Sequence, residues 1–190
     1  MQRSFIFLAN GFEEIEALTV VDVLRRAGMD ISTVSITGDT KVTGANGIPV
    51  VADLKFEDAD FSDAEWLIVP GGMPGSENLH KFAPLGELLK KHTGKIAAIC
   101  AAPGVVLAPL GLLEGKEATC YPGFEEVCRQ HGATMRDSRV VDAPNLITAN
   151  GPSSALLFAL DIVANSLGID AAQTVGSGML LYKKSMNYYF

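Results

Sequence analysis

Cysteine is scarce in this chain of 190 residues: Cys100, Cys120 and Cys128 are the whole complement, and no C-x-x-C spacing joins any two. That spacing argues against a zinc site and against a disulfide framework, and suits a protein that keeps its thiols reduced. Histidine is equally scarce, with only His80, His92 and His131. His92 precedes Thr93-Gly94 and His131 precedes Gly132, so both sit in last helical turns, where a cation suits the helix dipole. His80 follows a glycine-rich loop and is the one histidine with a path towards it. None adjoins Cys100, so a Cys-His hydrolytic pair is poorly supported and glutamate is the better proton carrier.

Long apolar runs are missing as well. No segment approaches the roughly 20 residues needed to span a bilayer. Phe5 to Ala9 is too short for a signal core and runs directly into Asn-Gly-Phe-Glu-Glu, so no targeting signal and a cytoplasmic location are expected. Basic runs are also lacking: 15 Lys and Arg face 22 Asp and Glu, a net charge of −7, which makes nucleic acid an unsuitable partner. Neither G-x-G-x-x-G nor a P-loop occurs, so a nucleotide cradle finds no support, and no cofactor or metal is expected.

What remains is an ordinary globular composition, 48% hydrophobic and 19% charged, in a chain whose length favours one domain over residues 1–190. Strand-like and helix-like segments alternate. Arg3 to Ala9 reads as a strand and Glu13 to Ala27 as a helix closed by Gly28. Ile31 to Ile36 alternates at period two, and Asn46-Gly47 between Val42 and Val50-Val51 marks a hairpin. Trp66 to Val69 is a strand, Pro84 to Thr93 a helix, and Ile96 to Ile99 a strand running into a helix that carries Pro103 in its first turn. Glu117 to Cys120 suggests a strand and Pro122 to His131 a helix. Strands around Arg139–Val141 and Leu146–Thr148 precede a helix from Pro152 to Leu167, stopped by Gly168. This order predicts an α/β layered fold with a mostly parallel sheet, whose sites form beyond the carboxyl ends of the strands.

Three turns fall at those ends: Asn10-Gly11, Pro70 to Gly75, and Cys100 to Gly104. Buried free cysteines are common as small apolar filler, which suffices for Cys120 and Cys128. Cys100 differs because it sits at a strand-to-helix junction among small residues. The helix N-terminus there is expected to lower its pKa. In the acidic cluster Glu13-Glu14-Ile15-Glu16, Glu14 is expected to point to the mixed face and serve only the helix dipole. Glu16 lies on the stripe of Val20, Val23, Leu24 and Ala27. A carboxyl there is expected to be buried, to hold a proton, and to act as the acid/base partner of a thiolate. Gly71, Gly72 and Ala101 are candidates for backbone N–H groups around an oxyanion. Asn10 and Tyr121 are candidate lining residues.

Taken together and in order, several motifs carry a resemblance. They are Asn-Gly-Phe-Glu-Glu-Ile-Glu at 10–16, Val-Asp-Val-Leu-Arg-Arg-Ala-Gly at 21–28, Val-Pro-Gly-Gly at 69–72 and Ala-Ile-Cys-Ala-Ala-Pro at 98–103. Asn-Gly-Pro at 150–152 and Phe-Ala-Leu-Asp-Ile-Val at 158–163 complete the set. The chain resembles the ThiJ/PfpI superfamily, and within it the Parkinson disease protein (deglycase) branch. The resemblance implies a flavodoxin-like three-layer sandwich, a homodimer, a reactive cysteine at Cys100, a carboxylate partner at Glu16, and a backbone hole around Gly71, Gly72 and Ala101. It implies cofactor-free glyoxalase III-like or deglycase action on methylglyoxal, glyoxal or their early adducts. A redox-responsive stress or chaperone role for the same cysteine is the alternative, and a cysteine amidase or protease a distant third. Where the amidase branch has His after the nucleophile, this chain has Ala101. Where several relatives have a site His after the next strand, it has Tyr121-Pro122, which leaves the third catalytic residue unassigned. The packing of the C-terminal Tyr188-Tyr189-Phe190 is left open.

Overall fold

A computed structural model describes residues 3–181. The question of the Tyr188-Tyr189-Phe190 tail lies outside the described residues. Along the chain come β1 (Arg3–Leu8), α1 (Glu14–Arg26), β2 (Asp30–Ser35), the hairpin β3 (Lys41–Thr43) and β4 (Pro49–Val51), β5 (Leu54–Lys55) and β6 (Ala64–Val69). Next are α2 (Gly75–Lys81), α3 (Ala83–Lys91), β7 (Lys95–Ile99) and a π-helical turn at Pro103–Leu107. The chain continues with β8 (Glu117–Ala118), α4 (Glu125–Gln130), β9 (Thr134–Met135), β10 (Val140–Ala143), β11 (Leu146–Ala149), α5 (Ala155–Leu167) and α6 (Ile169–Gly178).

Seven strands make one sheet in the order β10-β11-β7-β6-β1-β2-β5. All its pairings are parallel except the β10–β11 edge, which is antiparallel. Alternation along β1 explains the layers. Ile6 and Leu8 face a core shared with Val20 and Leu24 of α1 and Phe158 and Ile162 of α5. Phe5 and Phe7 face the opposite core, with Leu79 of α2, Leu85 and Leu89 of α3, and Val106 of the π-helical turn. The result is the expected flavodoxin-like α/β sandwich, with parallel strands buried on both faces.

The first helix begins where Glu13 caps it, its carboxylate accepting the Glu16 N–H at 2.7 Å. It ends at Gly28, whose φ of +77° suits a glycine after the last turn. Several boundaries differ from the sequence reading. The predicted strand from Glu117 to Cys120 stops at Ala118 and pairs only with β9, outside the main sheet. The helix expected from Pro122 is confined to α4, because Glu125 turns back to accept the Gly123 N–H at 2.7 Å. The helix expected from Pro152 opens with a 3-10 turn at Pro152–Ser154. No strand was expected at β5, and no helix at α2 or α6.

Candidate functional site

The site is built on the carboxyl ends of β1, β6 and β7. Cys100 directly follows β7 and adopts φ +66°, a left-handed conformation unusual for a residue with a side chain. Two backbone bonds hold it there: Cys100 N–H donates to the Ala149 carbonyl at 2.8 Å, and its own carbonyl accepts the Tyr121 N–H at 2.7 Å. The strand is thus ended abruptly, and the thiol stands at the junction with the helical segment.

Glu16 reaches the same point from the first turn of α1. It is 0% exposed, and its Oε2 accepts the Gly71 N–H at 2.8 Å. A methyl group on Gly71 would lie 2.5 Å from both Cys100 Cβ and Glu16 Oε2, and 3.0 Å from the sulfur. Only glycine lets the loop after β6 approach this closely. The next residue, Gly72, has φ +91°, and a Cβ there would meet the Glu13 nitrogen at 2.4 Å. Glu13 N–H donates to the Gly71 carbonyl at 3.0 Å, and Gly75 N–H to the Gly11 carbonyl at 3.1 Å, so the two turns are laced together.

The electrostatics follow from burial. Desolvation raises the Glu16 carboxyl to about 7, with Glu13 adding to the rise while the hydrogen bonds from Cys100 and Gly71 restrain it. Desolvation, the charge of Glu16 and the hydrogen bond to it push the 8%-exposed Cys100 thiol up to about 12; the Gly72 and Ala101 N–H groups pull it down. The expected lowering by the helix terminus is therefore outweighed. The thiol keeps its proton in preference to the carboxyl, which stands beside it as the nearest group able to accept one.

The structure thus brings Cys100, Glu16, Gly71, Gly72 and Ala101 together. Gly71 has a different task from the one expected: its N–H is spent on Glu16, so it positions the carboxyl rather than facing an oxyanion. Tyr121 is 46% exposed beside the site, and a Cβ on Gly151 would lie 3.3 Å from its ring. Asn10 is used otherwise: its Oδ1 accepts the Thr43 N–H at 3.0 Å and its carbonyl accepts from Asn78 at 2.9 Å, fastening loops. No histidine is among the groups that shift Cys100. His131 Nδ1 is bonded to the Val127 carbonyl at 2.9 Å, at the end of α4.

Glu14 corrects the sequence reading. It is buried, and its carboxylate accepts the Asn46 N–H at 2.8 Å, Asn46 Nδ2 at 2.9 Å and the Ile48 N–H at 3.4 Å. Burial would raise its pKa, but these donors outweigh it and the pKa is lowered. It anchors the β3–β4 hairpin to the start of α1, a role no local pattern announces.

A flavodoxin-like sheet with a left-handed cysteine at the end of a central strand, set against a buried glutamate, defines a class of α/β proteins with a cysteine elbow. Residues 2–165 match the DJ-1/PfpI family, and the chain belongs to it. It is 37% identical over 183 residues to the DJ-1 homolog B of Arabidopsis thaliana, covering 95% of this chain but 42% of that protein; the chain thus spans less than half that relative's length. It is 33% identical over 174 residues to a Caenorhabditis elegans protein named glutathione-independent glyoxalase DJR-1.2, covering 90% of this chain and 91% of that one. Among solved structures it resembles oxidized Toxoplasma gondii DJ-1, with a TM-score of 0.89 at 33% identity, covering 95% of this chain and 98% of that one.

Proposed function

We propose that this chain is a cofactor-independent, glyoxalase III-like enzyme or protein deglycase that acts on methylglyoxal, glyoxal or their early adducts. The observation that carries the reading is the fully buried Glu16 carboxyl set against Cys100 at the Gly71 turn, with two backbone N–H groups against the sulfur. Cys100 gives its proton to Glu16, and the thiolate attacks the aldehyde carbon, forming a hemithioacetal. Glu16 returns a proton to the alkoxide oxygen, then takes the proton from that carbon and delivers it to the neighbouring one, while the hydroxyl proton passes to the former carbonyl oxygen of that neighbour. This internal redox step converts the adduct to a 2-hydroxyacyl thioester, with no outside oxidant. Water cleaves the thioester, releasing lactate or glycolate and restoring the thiol. The Gly72 and Ala101 N–H groups are suited to stabilising the oxyanions. Glu16 Oε2 accepts the Gly71 N–H, and Oε1 has no hydrogen-bond partner among the described residues.

The test is product analysis: wild type incubated with methylglyoxal should produce lactate catalytically, and Cys100→Ser should produce none. Turnover that is unmeasurable, or that survives the substitution, removes the proposal. A second reading, a redox-responsive protein that signals through oxidation of Cys100, draws support from the oxidized relative. Dicarbonyl kinetics separate the two, since an enzyme saturates and a sensor consumes about one equivalent per thiol.

A homodimer is part of the same proposal. Ile15 and Leu18 on α1 and Ile48 and Val51 on the hairpin are exposed large apolar side chains, and Glu14 ties the two elements together. Such a patch fits a second copy of the chain. The three free cysteines accord with a cytoplasmic setting. Among the described residues, no helix is long and apolar enough to cross a membrane.

A further inference from the structure

The first turn of α1 and the loop after β6 are joined by a closed ring of three hydrogen bonds. Gly71 N–H donates to Glu16 Oε2 at 2.8 Å, Glu16 N–H to Glu13 Oε2 at 2.7 Å, and Glu13 N–H to the Gly71 carbonyl at 3.0 Å. Each residue gives one bond and takes one. The ring has little slack, because a Cβ on Gly72 would lie 2.4 Å from the Glu13 nitrogen and one on Gly71 2.5 Å from Glu16 Oε2. Glu16 is fully buried, whereas Glu13 is half-buried. Capping alone does not call for a glutamate at this position, since Ser, Thr, Asp or Asn does that work with a shorter side chain.

We propose that Glu13 is a positioning residue of the Cys100 site. Through the ring it fixes the Glu16 carboxyl against the thiol, and by its charge it sets the pH at which that carboxyl is free to accept a proton. Glu13 acts only through Glu16. The inference deepens the proposed acid/base role of Glu16 and rests on that reading for its effect on turnover.

The two effects have separate physical causes. Without the Glu13 oxygen, the Glu16 N–H at the start of α1 loses its acceptor, and the turn that carries the carboxyl loses a bond that holds it in place. The charge acts independently: a carboxylate in the same turn opposes a second negative charge, and it adds to the rise that burial imposes on Glu16. Few other groups bear on that carboxyl. The turn after β7 supplies Cys100, and the loop after β6 supplies the Gly71 N–H. The helix α5, packed on α1, contributes the apolar Ala155, Phe158 and Ile162 to their common core. Glu14 is turned away to Asn46 and Ile48 of the hairpin. No lysine, arginine or histidine is among the groups that shift Glu16, so nothing offsets the charge of Glu13 there.

The experiment compares full-length wild type, Glu13→Gln and Glu13→Ala in two pH series. One follows alkylation of Cys100 by iodoacetamide with peptide mapping, the other lactate formation from methylglyoxal. In wild type, alkylation should rise with pH and level off near the value of about 7 at which Glu16 loses its proton. Above that point the pair holds one proton, mostly on sulfur, and the small share that leaves a thiolate no longer depends on pH. Glu13→Gln keeps an oxygen for the Glu16 N–H and loses the charge. Its levelling point should fall by about half a unit or more, while it retains most of the kcat that Glu13→Ala loses. Glu13→Ala should shift likewise and also lose about tenfold or more in kcat with KM little changed, as a misplaced proton acceptor does. A merely structural cap would leave the levelling point of Glu13→Gln where wild type has it, and that result overturns the proposal. So does a wild-type kcat in Glu13→Ala, or a loss in Glu13→Gln as large as in Glu13→Ala. If wild type forms no lactate, the reading of the activity fails, and the alkylation series still decides the role of Glu13. Glu13→Gln keeps the cap, so the test stands even where Glu13→Ala does not fold.

Discussion

A buried carboxyl set against a thiol helps raise the pKa of that thiol, so a substitution at one changes the chemistry available to the other. Glu16→Gln keeps the size and a hydrogen-bond donor but cannot shuttle a proton. Dicarbonyl turnover should fall by about 10²-fold or more, the scale of general acid–base catalysis. Thiol reactivity should move the other way, because the charge of Glu16 and the hydrogen bond to it help raise Cys100 to about 12. Alkylation of Cys100 by iodoacetamide should therefore persist or quicken at neutral pH while turnover is lost. Wild-type turnover in this variant would show that the proton carrier is elsewhere. Stability provides a second check. Burial lifts the Glu16 carboxyl from 4.5 to about 7, so its folded pKa lies above the unfolded one. Its contribution to stability is then fully present below 4.5 and lost as pH rises through about 7. Relative to wild type, Glu16→Gln should be more stable at pH 8 than at pH 5, as urea midpoints would show; an equal difference at both pH values would contradict the buried charge.

Elements were legible where one local pattern decided them. The strands β1, β2, β6 and β7 and the helices α1 and α5 all lie close to where periodicity and capping signals put them. The helix α6 was not expected because Gly168 reads as a stop, yet the chain turns there at φ +91° and starts a new helix. For α2 the entry is Pro74, with no side-chain cap, directly after a glycine-rich loop. The strand β5 has two residues and exists by virtue of its pairing with β2. Cys100 and Glu16 were legible because a junction and an apolar stripe point to them. The hidden tasks of Gly71 and Glu14 depend on segments distant in sequence. Glu14 shows what such a contact contributes. Glu14→Ala would leave the Asn46 and Ile48 donors without their acceptor and should cost about 1–3 kcal/mol. Its pKa is lowered in the folded state, so this cost is present above 4.5 and fades as pH falls through the folded value. Urea titrations at pH 7 and pH 3 check it, and a deficit independent of pH would point to packing rather than the carboxylate.

At the scale of the whole molecule, the hairpin links the proposed contact between copies to the turn that leads into α1. Gly11 N–H donates to the Thr43 carbonyl at 2.8 Å and Ala45 N–H to the Phe12 carbonyl at 2.7 Å, so the hairpin is fastened to the turn that leads into Glu16. The proposed contact between copies uses the outer side of this unit, Ile15, Leu18, Ile48 and Val51. Val51 is well exposed on an edge hairpin, so an aspartate there is tolerated by the isolated fold but would bury a charge from each copy in a dimer. Wild type should therefore show about twice the 20.1 kDa chain mass by light scattering at micromolar concentration, and Val51→Asp the mass of one chain. Because the hairpin bonds are internal to each chain, the monomeric variant should keep the wild-type rate of Cys100 alkylation. A wild-type monomer would remove the dimer, and an undiminished dimer mass in Val51→Asp would move the interface off this face. A monomer whose Cys100 no longer reacts would show that the second copy holds the turn before α1 in place.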